Sequence, residues 1–344
     1  MNAYVIVIFI FAIAYTFYMG FSDGANAVAT CVATRAIKPH YALIIAGVVK
    51  FVAPIIICYL MGSTHVAHTV RELIHSSAYV DITPKAGFIF LLSTMLAALI
   101  WSLICVFTSL PNSTSHTLLG GLVGAGLVSF GFGGIDWSAV GIKVILMVFL
   151  TPMICIAVGF IMDKLFIALC RRMDRRVKKA FKIVQVFNVT LLSTSISINN
   201  VQKSMGVYLL AMGMCCGVDM ATYTFDFWTV AVLSFFIMLG LILGGYRLIY
   251  TVGKRIYSMG TIQSVTAQLS TAAVSLTCSF VGGIPVSTGQ VVSSSIIGVG
   301  ISERISGVHW TRVKKIFMNW ILTFPIAMAV GAIICLVLKA IFIR

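Results

Sequence analysis

Twice in this chain, once in each half, the same short polar pattern sits inside an apolar stretch long enough to cross a bilayer. In the first half, Ser22-Asp23-Gly24-Ala25-Asn26 precedes Pro111-Asn112-Ser113-Thr114, with Asn26 placed 85 positions before Pro111. In the second, Ile198-Asn199-Asn200-Val201-Gln202-Lys203 precedes Pro285-Val286-Ser287-Thr288, with Asn199 placed 86 positions before Pro285. Each Pro-x-Ser-Thr turn opens a Gly-rich apolar run. Gly124 and Gly126, like Gly298 and Gly300, lie 13 and 15 positions past their proline. A polar, helix-breaking pair duplicated in a membrane chain points to a transporter with its site between two repeats.

The rest of the chain supports a membrane reading. Of its 344 residues, 60% are hydrophobic and 10% charged, against roughly 25% charged in a soluble domain. Apolar stretches of about 20 residues recur along its whole length. The expected fold is an all-α polytopic membrane protein with no separate soluble domain. Ten crossings are read, at 3–22, 41–61, 86–107, 112–130, 139–161, 183–213, 228–249, 263–282, 286–302 and 316–338. The segments opened by Pro111 and Pro285 are short and rich in Ser, Thr and Gly, and are expected to be broken or re-entrant helices. Residues 3–21 read as a first span, because a basic n-region and a small-residue cleavage site are missing. The nine cysteines are scattered, mostly within spans and without a CxxC pair, so they read as small apolar residues.

Net charge is +15, but the basic residues sit between spans, so topology accounts for them better than nucleic acid does. Segment 163–182 holds Lys164, Arg171, Arg172, Arg175, Arg176, Lys178, Lys179 and Lys182 against Asp163 and Asp174, and is expected to be a cytoplasmic loop. Loops 23–40, 250–262 and 303–315 fall on the same side, and both termini come out extracellular. Residues 1–162 and 183–344 then form two repeats of five crossings. An odd number inverts the second repeat relative to the first, an architecture that lets one central site face either side in turn.

An enzyme is not indicated. The chain lacks a Ser-His-Asp constellation, a His-x-x-Glu pattern and a Walker-type loop, and no cofactor or metal site is expected. The polar residues at membrane depth are more telling, because ionisable groups there are costly and mark function. Asp23 is the only acid in the predicted spans or the duplicated motifs. Lys203 lies beside Asn199, Asn200 and Gln202, whereas Lys50 and Lys143 are expected to snorkel to an interface. A helix N-terminus binds anions through its free N–H groups and its dipole. Ser113, Thr114, Ser115, Ser287 and Thr288 would add hydroxyl donors there, and two such N-termini meeting at midplane would clamp a small oxyanion.

These motifs resemble the inorganic phosphate transporter (PiT) family, whose members carry two Gly-Ala-Asn-Asp signatures, each followed by Pro-Val-Ser-Thr-Thr-His. The matching stretches are Asp23-Gly24-Ala25-Asn26, the run from Asn199 to Gly206, and Pro111 to His116 and Pro285 to Gln290. Gly244 to Arg247 and Val252 to Arg255 are similar as well. The resemblance implies cation-coupled phosphate import in the cell membrane, often by a homodimer. Asn26, Ser113, Thr114, Ser115, Asn199, Gln202, Lys203, Ser287 and Thr288 would hold substrate, and Asp23, Asn26, Asn199 and Asn200 would serve coupling. The chain departs from the family where Ala27 and Asn200 replace the acid after each signature Asn, Ile196-Ser197 replaces a His-Gly, and Lys50 replaces a Glu. With those expected sodium ligands thinned out, the proton becomes the favoured coupling ion over sodium, and Asp23 its carrier. Asp23 also favours phosphate, which keeps a proton near neutral pH, over sulfate, the alternative anion. A channel or a non-transporting sensor is the remaining alternative.

Overall fold

The computed structural model describes residues 2–34, 37–79, 82–108, 110–171, 177–252 and 259–342, and the side chains of these except 25, 177–182 and 246–252. The chain is helical almost throughout: α1 (Ala3–Ala33), α2 (Pro39–Pro54) with a π turn at Ile55–Leu60, α3 (His65–Glu72), α4 (Pro84–Phe107) and α5 (Thr114–Phe130). A short α6 (Trp137–Ala139) runs through a π segment, Val140–Leu146, into α7 (Met147–Cys170). Then come α8 (Val177–Cys216), α9 (Phe227–Val252), α10 (Thr261–Phe280), α11 (Thr288–Glu303) and α12 (Trp310–Phe342). Among the described residues there is no strand, only an isolated bridge between Ile74 and Ile135.

Among the described residues, six stretches are long and apolar enough to cross a membrane: Ala3–Ala33, Pro39–Leu60, Pro84–Phe107, Trp137–Cys170, Phe227–Gly245 and Trp310–Phe342. The sequence reading had ten crossings. The other four fall on α5, α8, α10 and α11, and the shortfall has a physical cause. With 17 and 16 residues, α5 and α11 reach only about 25 Å, short of a core about 30 Å thick. Helices α8 and α10 bury a polar face of Asn188, Ser193, Asn199, Asn200, Gln268 and Thr271, which lowers their mean hydropathy. The outer surface is the reverse: Met153, Ile161, Leu243, Ile333 and Leu336 are exposed. An apolar outside, around an interior that mixes a hydrophobic core with these polar residues, is an arrangement a hydrocarbon solvent allows.

Local chemistry sets several helix starts. Asn2 caps α1 by accepting from Tyr4 N at 3.3 Å. Thr83 accepts from Ala86 N at 3.3 Å, with Pro84 at the first helical position, where its missing N–H costs nothing. At the water-facing start of α6, Asp136 accepts from Ser138 Oγ at 2.6 Å and from the N–H groups of Ser138 and Ala139 at 3.0 Å. The Ser138 hydroxyl first, and then the Ala139 N–H, hold its carboxyl below the usual carboxylate range.

Three expectations are corrected. First, the signature motifs do not break their helices. Helix α1 continues through Asp23 to Ala33 and α8 runs unbroken through Asn199 and Asn200, so segment 23–40 is mostly helix rather than loop. Second, 163–182 is also largely helical, since α7 extends to Cys170 and α8 starts at Val177. Arg35, Arg172, Asp174, Arg175, Arg176, Lys254 and Arg255 lie outside the described residues, as do the side chains of Lys178, Lys179 and Lys182. Third, Asp163 is fully buried. It accepts from Thr266 Oγ1 at 2.9 Å and from Ser302 Oγ, pinning α7 to α10 and α11.

The two halves of the chain are interleaved. Helix α1 packs chiefly on α9, α2 on α8 and α9, α5 on α12, and α7 on α11. Each of these pairs joins the first half to the second. Small residues make the contacts close: a Cβ at Gly124 would collide with the carbonyl of Met328, and one at Gly298 with the carbonyl of Ile156. Helices in lipid associate through such backbone approaches.

Candidate functional site

The helices are interrupted at the Pro-x-Ser-Thr turns. Helix α4 stops at Phe107 and α5 restarts at Thr114; α10 stops at Phe280 and α11 restarts at Thr288. Ser113 and Ser287 are the N-cap residues, both in extended backbone. The two caps differ: Ser113 Oγ accepts from His116 N at 3.4 Å, whereas Ser287 Oγ is buried and has no partner among the described residues.

The two turns meet. Ser115 Oγ, in the first turn of α5, donates to the carbonyl of Val286 at 2.7 Å. Lys203 Nζ, from α8, donates to the same carbonyl at 3.0 Å and to Asn200 Oδ1 at 2.9 Å. Asn200 Nδ2 in turn donates to Asp23 Oδ2 at 3.4 Å. Thr114 Oγ1 donates to that same oxygen at 3.0 Å, and the Tyr15 hydroxyl donates to Thr114 O at 2.6 Å. One buried network thus joins α1, α5, α8 and the start of α11. It brings together a carboxylate, an ammonium and two helix N-termini, whose first N–H groups have no intrahelical acceptor.

Around it lie polar atoms with no partner among the described residues: Ser22 Oγ, Lys50 Nζ, His116 Nδ1, Asn199 Oδ1 and Ser287 Oγ. Native interiors leave few such atoms, and a cluster of them marks a place that takes polar guests. His116 and Ser287 line one small cavity with Lys143, Pro285 and Gln290; its volume is about 10 Å³, the room one water needs.

The sequence model of the phosphate transporter family matches residues 19–331, which takes in both turns and the network between them. The chain belongs to the phosphate transporter family. It is 34% identical over 339 residues to a probable low-affinity inorganic phosphate transporter of Bacillus subtilis (strain 168), with 98% of each chain covered. It is 31% identical over 327 residues to one of Rhizobium meliloti (strain 1021), covering 94% of this chain and 92% of that one. A solved structure described as the sodium-dependent phosphate transporter shares the fold with a TM-score of 0.83. That match covers 99% of this chain and 100% of the other at 24% identity. This family member is therefore a multi-pass membrane transporter and not an enzyme.

Within this transporter, Asp23, Thr114, Ser115, Asn200 and Lys203 enter one hydrogen-bond network, with Ser113, Ser287 and Thr288 buried at the two helix starts. Asn199 faces a different neighbour, with Nδ2 donating to Ser279 Oγ at 2.8 Å and to Ile284 O at 3.2 Å. That ties α8 to the loop before Pro285. Gln202 is taken up elsewhere: its Oε1 accepts from Val66 N at 2.8 Å and its Nε2 donates to Ser63 O at 2.9 Å. It holds the start of α3 rather than the network. Asn26 is half-buried, nearly a turn beyond Asp23 on α1.

Sequence reasoning missed Tyr15, His116 and Lys50. Lys50 was expected at an interface but is fully buried. The signal was available: Lys50 sits near the middle of Pro39–Leu60, about 15 Å of helix from either end, too far for a lysine to snorkel. Lys143 is half-buried and pairs with Glu72 at 2.6 Å.

Proposed function

We propose that this chain imports inorganic phosphate across the cell membrane as a secondary active transporter, with the anion held between the N-termini of α5 and α11. The observation that carries the reading is the meeting of the two Pro-x-Ser-Thr turns at Val286, where Ser115 and Lys203 converge. Thr114, Ser115, Ser287, Thr288 and Lys203 then supply hydroxyl and ammonium donors to the anion. Asn26, Asn199 and Ser113 shape the surrounding wall, and Gln202 acts from behind it.

We assign the crossing to alternating access. A cavity of about 10 Å³ beside the second turn, where His116 and Lys143 face Pro285 and Ser287, is too small for phosphate, so the flanking helices must part to admit it. The pairings of α1 with α9, α2 with α8, α5 with α12 and α7 with α11 are those expected of two inverted repeats, 1–162 and 183–344. Under that reading the basic segment at 163–182 faces the cytoplasm, both termini face outward, and the protein works in lipid as a homodimer.

Coupling is needed because carrying one negative charge inward against 100 mV costs about 2.3 kcal/mol. We assign it to a proton carried by Asp23, the buried acid of the network. Sulfate is the competing anion. Two buried lysines, Lys50 and Lys203, suit it, whereas a carboxylate beside the site repels an anion that carries no proton.

The test is radiolabelled phosphate and sulfate uptake in proteoliposomes under separate proton and sodium gradients. Phosphate uptake driven by the proton gradient is expected; uptake that ignores both gradients, or sulfate preferred over phosphate, would overturn the reading. Thr114→Val and Thr288→Val should each weaken phosphate binding about 10- to 100-fold, the worth of one hydrogen bond to a charged group. Titration calorimetry checks this, and wild-type affinity in both variants would remove the two-sided clamp.

A further inference from the structure

Lys50 is the ionisable side-chain amine of this region that no hydrogen bond explains. It is fully buried, and its Nζ has no hydrogen-bond partner among the described residues. A structural ammonium at such a place would be paired, because an unpaired buried charge destabilises the fold and an apolar residue of similar shape would pack better. Lys50 lies within electrostatic reach of Asp23, and so does Lys203. One carboxylate therefore faces two ammonium groups. The salt bridge of Lys143 with Glu72 lies elsewhere. With both lysines protonated, as a bound anion would favour, the cluster carries a surplus positive charge in a place shielded from water.

Lys203 shows what these ammonium groups do. Its Nζ is held by an amide oxygen, Asn200 Oδ1, and a main-chain oxygen, Val286 O. Neutral oxygens of this kind are what a hard monovalent cation takes as ligands. The ammonium thus sits where a free cation would otherwise have to be recruited, and it is covalently attached.

We propose that Lys50 and Lys203 are tethered counter-cations for the transported anion, so that phosphate binds and moves without sodium. This rests on the phosphate-transport reading above and extends it to Lys50. A tethered charge lowers the cost of taking an anion out of water at the site. It does not cross the membrane with the anion, so it supplies no driving force, and the need for a proton remains. Lys50 neutralises the anion rather than positioning another residue, since among the described residues its Nζ has no hydrogen-bond partner to orient.

The experiment uses the full-length protein in proteoliposomes with an inward proton gradient, comparing sodium with choline as the external cation. Wild-type phosphate uptake is expected to be equal in the two. Lys50→Met should lower uptake at least 30-fold while leaving the thermal unfolding midpoint unchanged or higher, and Lys50→Arg should keep most of the uptake. A merely structural lysine would give the opposite split, with lowered stability and retained uptake in Lys50→Met. Wild-type uptake that requires sodium, or full uptake by Lys50→Met, would overturn the proposal while leaving phosphate transport intact. No phosphate uptake in either medium would instead sink the transport reading. A measurement without variants stands beside these: inorganic phosphate should raise the wild-type unfolding midpoint in sodium-free buffer, and a shift seen only with sodium counts against tethered counter-cations.

Discussion

Asp23→Asn is expected to cut proton-driven phosphate uptake at least 10-fold while leaving phosphate–phosphate exchange across the same membrane largely intact. Asp23 Oδ2 accepts from Thr114 Oγ1 and from Asn200 Nδ2. Asparagine keeps one acceptor oxygen at nearly the same volume, so the scaffold around Thr114 survives. What disappears is the ability to take up and release a proton. Hydrogen bonds to a charged group are worth about 1.5–3 kcal/mol, roughly a 10- to 100-fold effect if a step depends on them. Exchange needs no net proton movement and should tolerate the change; net uptake should not. Equal loss of net uptake and exchange would show that Asp23 binds the anion or holds the fold, and the proton would then need another carrier.

The same variant bears on the two lysines. With Asp23 neutral, Lys50 and Lys203 face the anion without a competing carboxylate, so phosphate should bind Asp23→Asn at least as tightly as wild type. Tight binding with lost net uptake is the combined signature of a coupling acid placed among fixed cations.

How far the sequence reached can be judged residue by residue. The helix starts at Thr114 and Thr288 were legible because proline and a Ser cap act over a few positions, and local chemistry decides such sites. The convergence of Asp23, Thr114, Asn200 and Lys203 could be guessed only because the motif occurs twice. The continuity of α1 through Asp23 was not legible. Polar residues read locally as breakers, but here each finds its partner on a helix about 90 or 177 positions away, and a satisfied side chain leaves the backbone free to remain helical. Asp163 was misplaced for the same reason: Thr266 and Ser302 accommodate it inside the bundle. Lys50 was misread because its natural fate at a span end, snorkelling, was assumed without counting how far the end lies.

The interleaving of the halves was the least legible feature and leads to the largest expected stability effect. Gly124 and Gly298 sit 13 positions past matching prolines. They make matching contacts: the backbone of Met328 on α12 presses on Gly124, and that of Ile156 on α7 presses on Gly298. On the first seam, Gly331 of α12 also meets the backbone of Gly121. The obstacle in each case is main chain, which cannot swing aside as a side-chain tip can, so any Cβ must push two helices apart. Gly124→Ala should cost about 1–3 kcal/mol, as over-packing does, and Gly124→Leu more than about 3 kcal/mol. The expected outcome is loss of the monodisperse peak for Gly124→Leu in detergent size exclusion, and a lowered unfolding midpoint for Gly124→Ala. Gly298→Ala should follow Gly124→Ala, because the second seam repeats the first. Gly141→Ala is the control: a Cβ there meets no neighbour within 4 Å, so its midpoint should hold or rise. A Gly124→Leu protein that elutes and melts like wild type would mean that α5 and α12 are free to separate. The anion-binding end of α5 would then lack the rigid support from the opposite half that a two-sided clamp requires.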